Sequence, residues 1–464
     1  MLKQFVNIIP ASLSGEANQD SEPNLAVNPS QPTDMVATAF TPDPLHGPNA
    51  PIYVSTDGGQ TWSLRTVIPG SGPFGTGDIS VGFSATGGSL YCGILSGNAP
   101  SGQTRLQILR ASNFLSTATM PVLVDRLQVD QPWVVAGTVV AAAGKSADRV
   151  YVGNNDFGAP AGQTATVDMS LDAASAMAPA GFNPYRIEQA ATMGQDGPPV
   201  RLAVHPDGTV YAVHQRWTGG NAGAYTIDVV VTRDDNWGSG PQPFAALVDP
   251  TDGTVGQRVV KGRTVVWDGT MGQERLGADS AIAVDPTKHD VVWVAWGDQP
   301  GGPTDAWTIH VRRSTDGGKT WSNDLRTLTK GKNPGLAVNS SGVLGFACQQ
   351  LSGQGPAQRW TTTFEATSDA WQTPVQPTTL HTAVAATPVA SFMPYLGDYT
   401  RLVSVGKEFF GVFSGSNHAD KANFPNGISY QRNVDWNAHT LLDLDGATTV
   451  PDSIDPFFFH WSTD

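Results

Sequence analysis

The most regular feature of the chain is a pair of apolar stretches with period-two alternation, joined by a short polar turn. It recurs as EPNLAVNPSQPTDMVATAF from Glu22, DISVGFSATGGSLYCGIL from Asp78, DQPWVVAGTVV from Asp130 (continuing to ADRVYVGNN) and VRLAVHPDGTVYAVHQRW from Val200. Further copies are DSAIAVDPTKHDVVWVAWGD from Asp279, NPGLAVNSSGVLGFACQQ from Asn333 and DYTRLVSVGKEFFGVFSG from Asp398. Alternation of this period specifies strands rather than helices. Each copy continues into a polar loop and a third apolar segment, at 52–55, 106–111, 166–170, 226–232, 308–314, 360–366 and 428–432, then a turn and a fourth strand.

Seven repeats of four antiparallel strands predict an all-β, seven-bladed β-propeller, with six blades as the alternative if the loosest copy, at Asp130, is something else. The whole chain, 1–464, reads as a single propeller domain closed by strands at its two ends. Phe5 to Ile9 and Phe457 to Trp461 are both strand-like and are expected to share a blade, which would leave no open edge. The alternative is a hydrophobic C-terminal tail packed over the bottom of the barrel.

Composition agrees with many short strands and tight turns: 51 Gly and 34 Pro in 464 residues, and only 15% charged. No stretch is apolar for long enough to span a membrane as a helix. The net charge of -14 comes from acids scattered through turns, which disfavours nucleic acid or an anionic membrane as partner. Cys92 and Cys348 lie in separate apolar runs and read as buried free thiols. The start, MLKQF, lacks the apolar core of a leader, so the protein is expected to be secreted or periplasmic with its leader removed, or cytoplasmic. A monomer is expected.

Two turns between third and fourth strands read STDGGQTW, from Ser55 to Trp62, and STDGGKTW, from Ser314 to Trp321, with looser versions at 232–237 and 367–371. Both resemble the Asp box, or BNR repeat, of sialidase-like β-propellers. The physical reading is structural: the Asp accepts backbone N–H bonds across the turn, the glycines supply positive φ, and the Trp packs between sheets. The resemblance implies that these turns lie on the blade rim, away from the site.

If the Asp-box turns are at the bottom, the second-to-third-strand loops at 41–51, 95–105, 154–164, 214–226, 297–308, 349–360 and 414–427 are at the top. The inner strands then deliver Glu22, Asp78, Asp130, Asp279 and Asp398 to one opening, with Arg201 and Asn333 in the remaining blades. Acids that converge repel unless a cation, an Arg or shared protons compensate, so raised pKa values or a bound divalent cation such as Ca2+ are expected. No cofactor is required by any motif, and metal ligands are not assignable.

The expected catalytic set is Glu22, Asp78, Asp130, Asp279, Asp398 and Tyr399. Arg201, His214, Arg216, Trp217, Asn155, Gln349 and His418 are expected to bind a glycan or another small polar ligand. A sialidase would need an arginine triad and an N-terminal F/Y-R-I-P segment, and only YRIE at Tyr185 approaches the latter. The expectation is therefore a glycoside hydrolase-like enzyme of another specificity, with a carbohydrate-binding lectin or an interaction scaffold as the non-catalytic alternatives.

Overall fold

The computed structural model describes the chain apart from residues 41–49, 69–75, 97–103, 141–145, 160–161, 176–180, 194–199, 222, 267–278, 387–395 and 399, and the side chains of 40, 138–140, 146 and 221. Among the described residues, seven four-stranded antiparallel sheets follow one another along the sequence, with one small three-stranded sheet. Their inner strands are Ser21–Val27, Thr76–Phe83, Val129–Val140, Arg201–Val204, Ser280–Asp285, Gly331–Val338 and Arg401–Val405. Each packs on the next, and the last packs on the first, so the ring is closed. The unit at Asp130 is a complete blade of Val129–Val140, Ser146–Asp156, Ala165–Ser170 and Asn183–Arg186, which removes the six-blade alternative.

Alternation sends successive side chains to opposite faces of each sheet, and in a propeller both faces meet a neighbour. In the second strand of blade 2, Cys92 joins Ile52 and Ile79 in the core shared with blade 1, while Tyr91 joins Leu123 and Val152 in the core shared with blade 3. The main core is thus a set of apolar slabs between sheets, which explains why the strands read as nearly continuous hydrophobic runs. Cys92 and Cys348 are free and lie in different slabs.

Blade 7 departs from the sequence reading. Its order from the outside is Leu2–Asn7, Ile454–Ser462, Glu408–Ser416 and Arg401–Val405, so the chain's end supplies the third strand and its start the fourth. The segment 428–432, expected as the third strand, instead makes a single parallel bridge from Ser429 to Val6 outside the sheet. It belongs to an excursion between second and third strands that includes Asn433–Asp435, Thr440–Leu442 and Thr449–Val450. Arg432 anchors the excursion through a fully buried ion pair with Asp455, whose carboxylate also accepts from Asn7 Nδ2 at 2.7 Å and Asn417 Nδ2 at 2.9 Å.

The Asp boxes are folding devices in both full copies. In blade 1 the Asp57 carboxylate accepts from Thr61 N at 3.0 Å and Thr61 Oγ1 at 2.6 Å, and Ser55 Oγ accepts from Gly59 N at 2.9 Å. The blade 5 copy repeats these bonds between Asp316, Thr320, Ser314 and Gly318 at 2.9, 2.6 and 2.8 Å. Burial alone would raise the Asp57 carboxyl, but the Thr61 and Ser55 bonds outweigh it and hold it below its ordinary value. Trp62 packs edge-on against Phe458 of the neighbouring blade with centroids 5.4 Å apart. Asp57→Ala should lower stability by about 1–3 kcal/mol in chemical denaturation through the lost turn bonds. Its effect on ligand affinity should be negligible.

Candidate functional site

The site begins with irregularities at the tops of the inner strands. Pairing between first and second strands slips at Ser21/Asn24, Thr76/Ile79, Asp130/Trp133 and Lys332/Gly335. Such bulges re-aim side chains and are common beside functional sites. In three of these blades a residue at the slip is left-handed although it precedes proline: Glu22 at φ 52°, Gln131 at 56° and Asn333 at 52°. A non-glycine residue there carries strain of roughly 1–3 kcal/mol, maintained only where the surroundings over-determine it.

These slips bring the acids of different blades together. Glu22 Oε1 accepts the backbone N–H of Asp398 at 3.2 Å, which joins blade 1 to the start of blade 7. That approach requires Gly397, at φ +82°, because a Cβ there would lie 2.2 Å from Glu22 Cγ. Gln131 donates its backbone N–H to Asp130 Oδ1 at 2.9 Å and its side-chain amide to Asp398 Oδ2 at 3.5 Å. Asn333 donates to Gly397 O at 3.2 Å and holds the same loop from blade 6.

Asp78 is pushed well above its ordinary pKa, first by burial, then by the charge of Glu22 and a hydrogen bond to it, and then by Asp130 and Asp398. Asp279 is raised to about 7, mainly by burial, with Arg201 opposing and Asp398 adding to the rise. The Arg201 Nη2 to Asp279 Oδ1 distance is 2.8 Å, and both side chains are buried. All five acids thus belong to one electrostatic group.

One step further along the inner strands lies a cavity of about 100 Å3, lined among others by Trp133, Arg201, Ser280, Pro334, Thr400 and Arg401. The guanidinium carbons of Arg201 and Arg401 lie over the Trp133 ring, 3.8 and 4.5 Å from its centroid. Burial and then the charge of Arg201 bring Arg401 down to about 9. The acids at the strand starts therefore lie close to two guanidiniums stacked on Trp133, a separation of charge that offsets part of the cost of crowding them.

The other expected residues occupy varied places. Asn155 Nδ2 donates to Gln131 Oε1 at 3.2 Å, and Gln349 Oε1 accepts from Asn333 Nδ2 at 2.8 Å, so both stand behind the ring and orient residues in it. His214 Nε2 and Arg216 Nε instead meet the buried Glu188 Oε2 at 3.0 and 2.7 Å. Trp217 is buried in the core between blades 4 and 5 and stacks on Tyr225 with centroids 4.0 Å apart. His418 Nδ1 pairs with Asp452 Oδ2 at 2.8 Å in the blade 7 excursion. Tyr399 lies outside the described residues, as does most of the loops at 41–51 and 95–105. Among the described residues no group of three or more His, Cys, Asp or Glu is arranged to hold a metal ion, and no helix is long and apolar enough to cross a membrane.

Sequence reasoning passed over Gln131, Trp133, Arg401 and Glu188. A signal for Gln131 was present: Glu22-Pro23, Gln131-Pro132 and Asn333-Pro334 occupy equivalent places in their repeats. The partnership of Glu188 with His214 and Arg216 spans two blades and leaves no local trace.

The ring sets a direction for pH dependence. Folded Asp279 titrates near 7 and Asp78 is raised as well, whereas an unfolded Asp titrates near 3.9. The folded state then holds more protons than the unfolded chain above about pH 4, so both groups contribute most at low pH, and Asp279 loses its contribution as pH rises from about 4 to about 7. Asp78→Asn should flatten the decline in urea midpoints as pH rises above about 4. Glu188 acts in the opposite sense and lower window: burial opposes, but His214 and Arg216 hold it near 2, so its contribution is lost only as pH falls below about 4.

Comparison with known proteins bears on the fold. The BNR/Asp-box repeat model matches residues 53–64 and 312–323. No curated protein matches the chain in sequence. Among solved structures, an ulvan lyase bound to -[GlcA(1-4)Rha3S]- is 9% identical, covers 86% of this chain and 92% of its own, and has a TM-score of 0.50. The α-L-arabinofuranosidase of Fusarium graminearum with arabinobiose is 12% identical over 75% of this chain and 93% of its own, at a TM-score of 0.43. The Penicillium chrysogenum α-L-arabinanase with arabinobiose is 11% identical over 98% of each chain, at 0.42. With seven sheets closed in a ring, the chain folds as a β-propeller that carries two BNR/Asp-box repeats at its turns.

Proposed function

We propose that this propeller is carbohydrate-active and cleaves a glycan at the centre of its top face through the acid ring. The observation that carries the reading is the hydrogen-bonded pair of Glu22 and Asp78, in which burial and like charge hold the Asp78 carboxyl well above the usual carboxylate range. A carboxyl whose proton is held more firmly by burial and neighbouring acids is equipped to be a general acid. Asp78 would give its proton to the glycosidic oxygen as the bond to the anomeric carbon breaks. An ionised acid across the ring, with Asp398 held by Gln131 as the best-placed member, would take a proton from the attacking water. Arg201 and Arg401 beneath would balance the charge that this transfer leaves.

The fold-level likeness to an ulvan lyase agrees with a saccharide as ligand, and its printed ligand includes a uronate and a sulfated sugar. The test is a panel of neutral, uronate-bearing and sulfated oligosaccharides, scored for binding by calorimetry and for cleavage by reducing ends. Saturable binding with turnover is expected for at least one class. Binding without turnover would mark a lectin, and neither would leave an interaction scaffold.

A further inference from the structure

The outer strands carry a second irregularity, and in blade 1 it places a charge where other blades place carbon. Pairing of third and fourth strands slips by one residue in four blades, which leaves Arg65, Leu123, Val259 and Leu380 as the extra residues. All four are buried, at 5, 2, 4 and 0% exposure. Leu123, Val259 and Leu380 fill the slabs toward blades 3, 5 and 7. Arg65 takes the same position toward blade 2.

Arg65 has no hydrogen bond or ion pair among the described residues, and its Nε and Nη1 are buried without a partner. A buried guanidinium with no counter-charge is costly. Cys92 nearby does not supply one, since burial pushes its thiol up to about 12 against the pull of Arg65, and it stays neutral. Arg65 instead lines a cavity of about 320 Å3 together with Ser89, Arg110, Asn113, Ser116 and Thr119. Arg110 is fixed in its wall by donating Nη1 to Ala173 O at 2.7 Å and also to Ala174 O. Among the described residues no Asp or Glu lines this cavity.

We propose that this cavity, at the Asp-box end of blades 1 and 2, binds an oxyanion, a carboxylate, sulfate or phosphate group, on Arg65 and Arg110 with neutral donors around it. The bulge places Arg65 in the cavity wall and the slab immobilises it, so the site is preorganised, and two guanidiniums together suit the oxygens of an oxyanion. The site is at the opposite end of the blades from the acid ring and does not depend on what that ring does.

The test is thermal unfolding and calorimetry of the full chain with sodium sulfate, sodium phosphate or sodium glucuronate, each against sodium chloride at matched ionic strength. The three salts separate inorganic oxyanions from a sugar acid. For the wild type, at least one should raise the melting temperature above the chloride control with a saturable dependence, as expected of a ligand that binds only the folded state. Arg65→Leu should melt higher than wild type in chloride, because it installs the side chain used by other blades, and should lose the anion-specific rise. Arg65→Lys should keep the rise with affinity about tenfold weaker, since the charge is retained on a shorter, more flexible and more strongly hydrated group. A wild type indifferent to all three anions, or an Arg65→Leu variant that keeps the full rise, would overturn the proposal.

Discussion

Removal of residues 454–464 should leave a chain that no longer unfolds as one cooperative unit. This segment is the third strand of blade 7, paired on one side with Glu408–Ser416 and on the other with Leu2–Asn7, so its loss strands both neighbours and opens the ring. It carries Phe457, Phe458 and Phe459, all fully buried, in the slabs toward both adjacent blades. Each Phe→Ala truncation in a core costs about 3–5 kcal/mol, so the three together come to on the order of 10 kcal/mol, comparable with the whole stability of a typical domain. Loss of the calorimetric transition is the expected result. A truncated chain that melted within a degree or two of full length would show that closure by the C-terminal strand contributes little. The milder Phe458→Ala, which opens a hole beside Trp62 and Phe410, should fold with a deficit of about 3–5 kcal/mol.

The second large effect concerns turnover. Asp78→Asn keeps shape but removes the transferable proton, and on an active glycan it should lower kcat by about 10²–10⁴-fold, the usual contribution of general acid catalysis. Stability should hold or rise near neutral pH, because the variant removes a carboxyl whose ionisation the folded state resists. Asp398→Asn should lower kcat as severely through loss of the proposed proton acceptor, and its effect combined with Asp78→Asn should be far from additive, as for groups that act together. A variant with normal kcat and a lowered melting temperature would mark its acid as structural.

The repeat was legible in the sequence because each inner and second strand must bury both faces, which forces the same apolar pattern in every blade. The acids at strand starts were legible for the same reason: repetition made Glu22, Asp78, Asp130, Asp279 and Asp398 comparable positions. Blade 7 was misread at its third strand, since 428–432 has the alternation of a strand but packs outside the sheet, while the true partner arrives after a long excursion. Local pattern cannot rank two candidate strands that compete for one edge. Trp217, expected beside the ligand, is buried in the core between blades 4 and 5, because an aromatic beside a glycine-rich loop carries no local sign of which way it packs. Arg65 could not be singled out because its significance depends on a one-residue slip in pairing that only coordinates reveal.

The central claim is a place, so the most direct measurement is a crystal structure of the Asp78→Asn variant with a bound oligosaccharide from the active class. The account predicts the sugar in the top opening, with its glycosidic oxygen within hydrogen-bond reach of residue 78 and its other groups near Glu22, Asp398 and Gln131. A sugar bound instead along the blade rim, with the acid ring untouched, would contradict it.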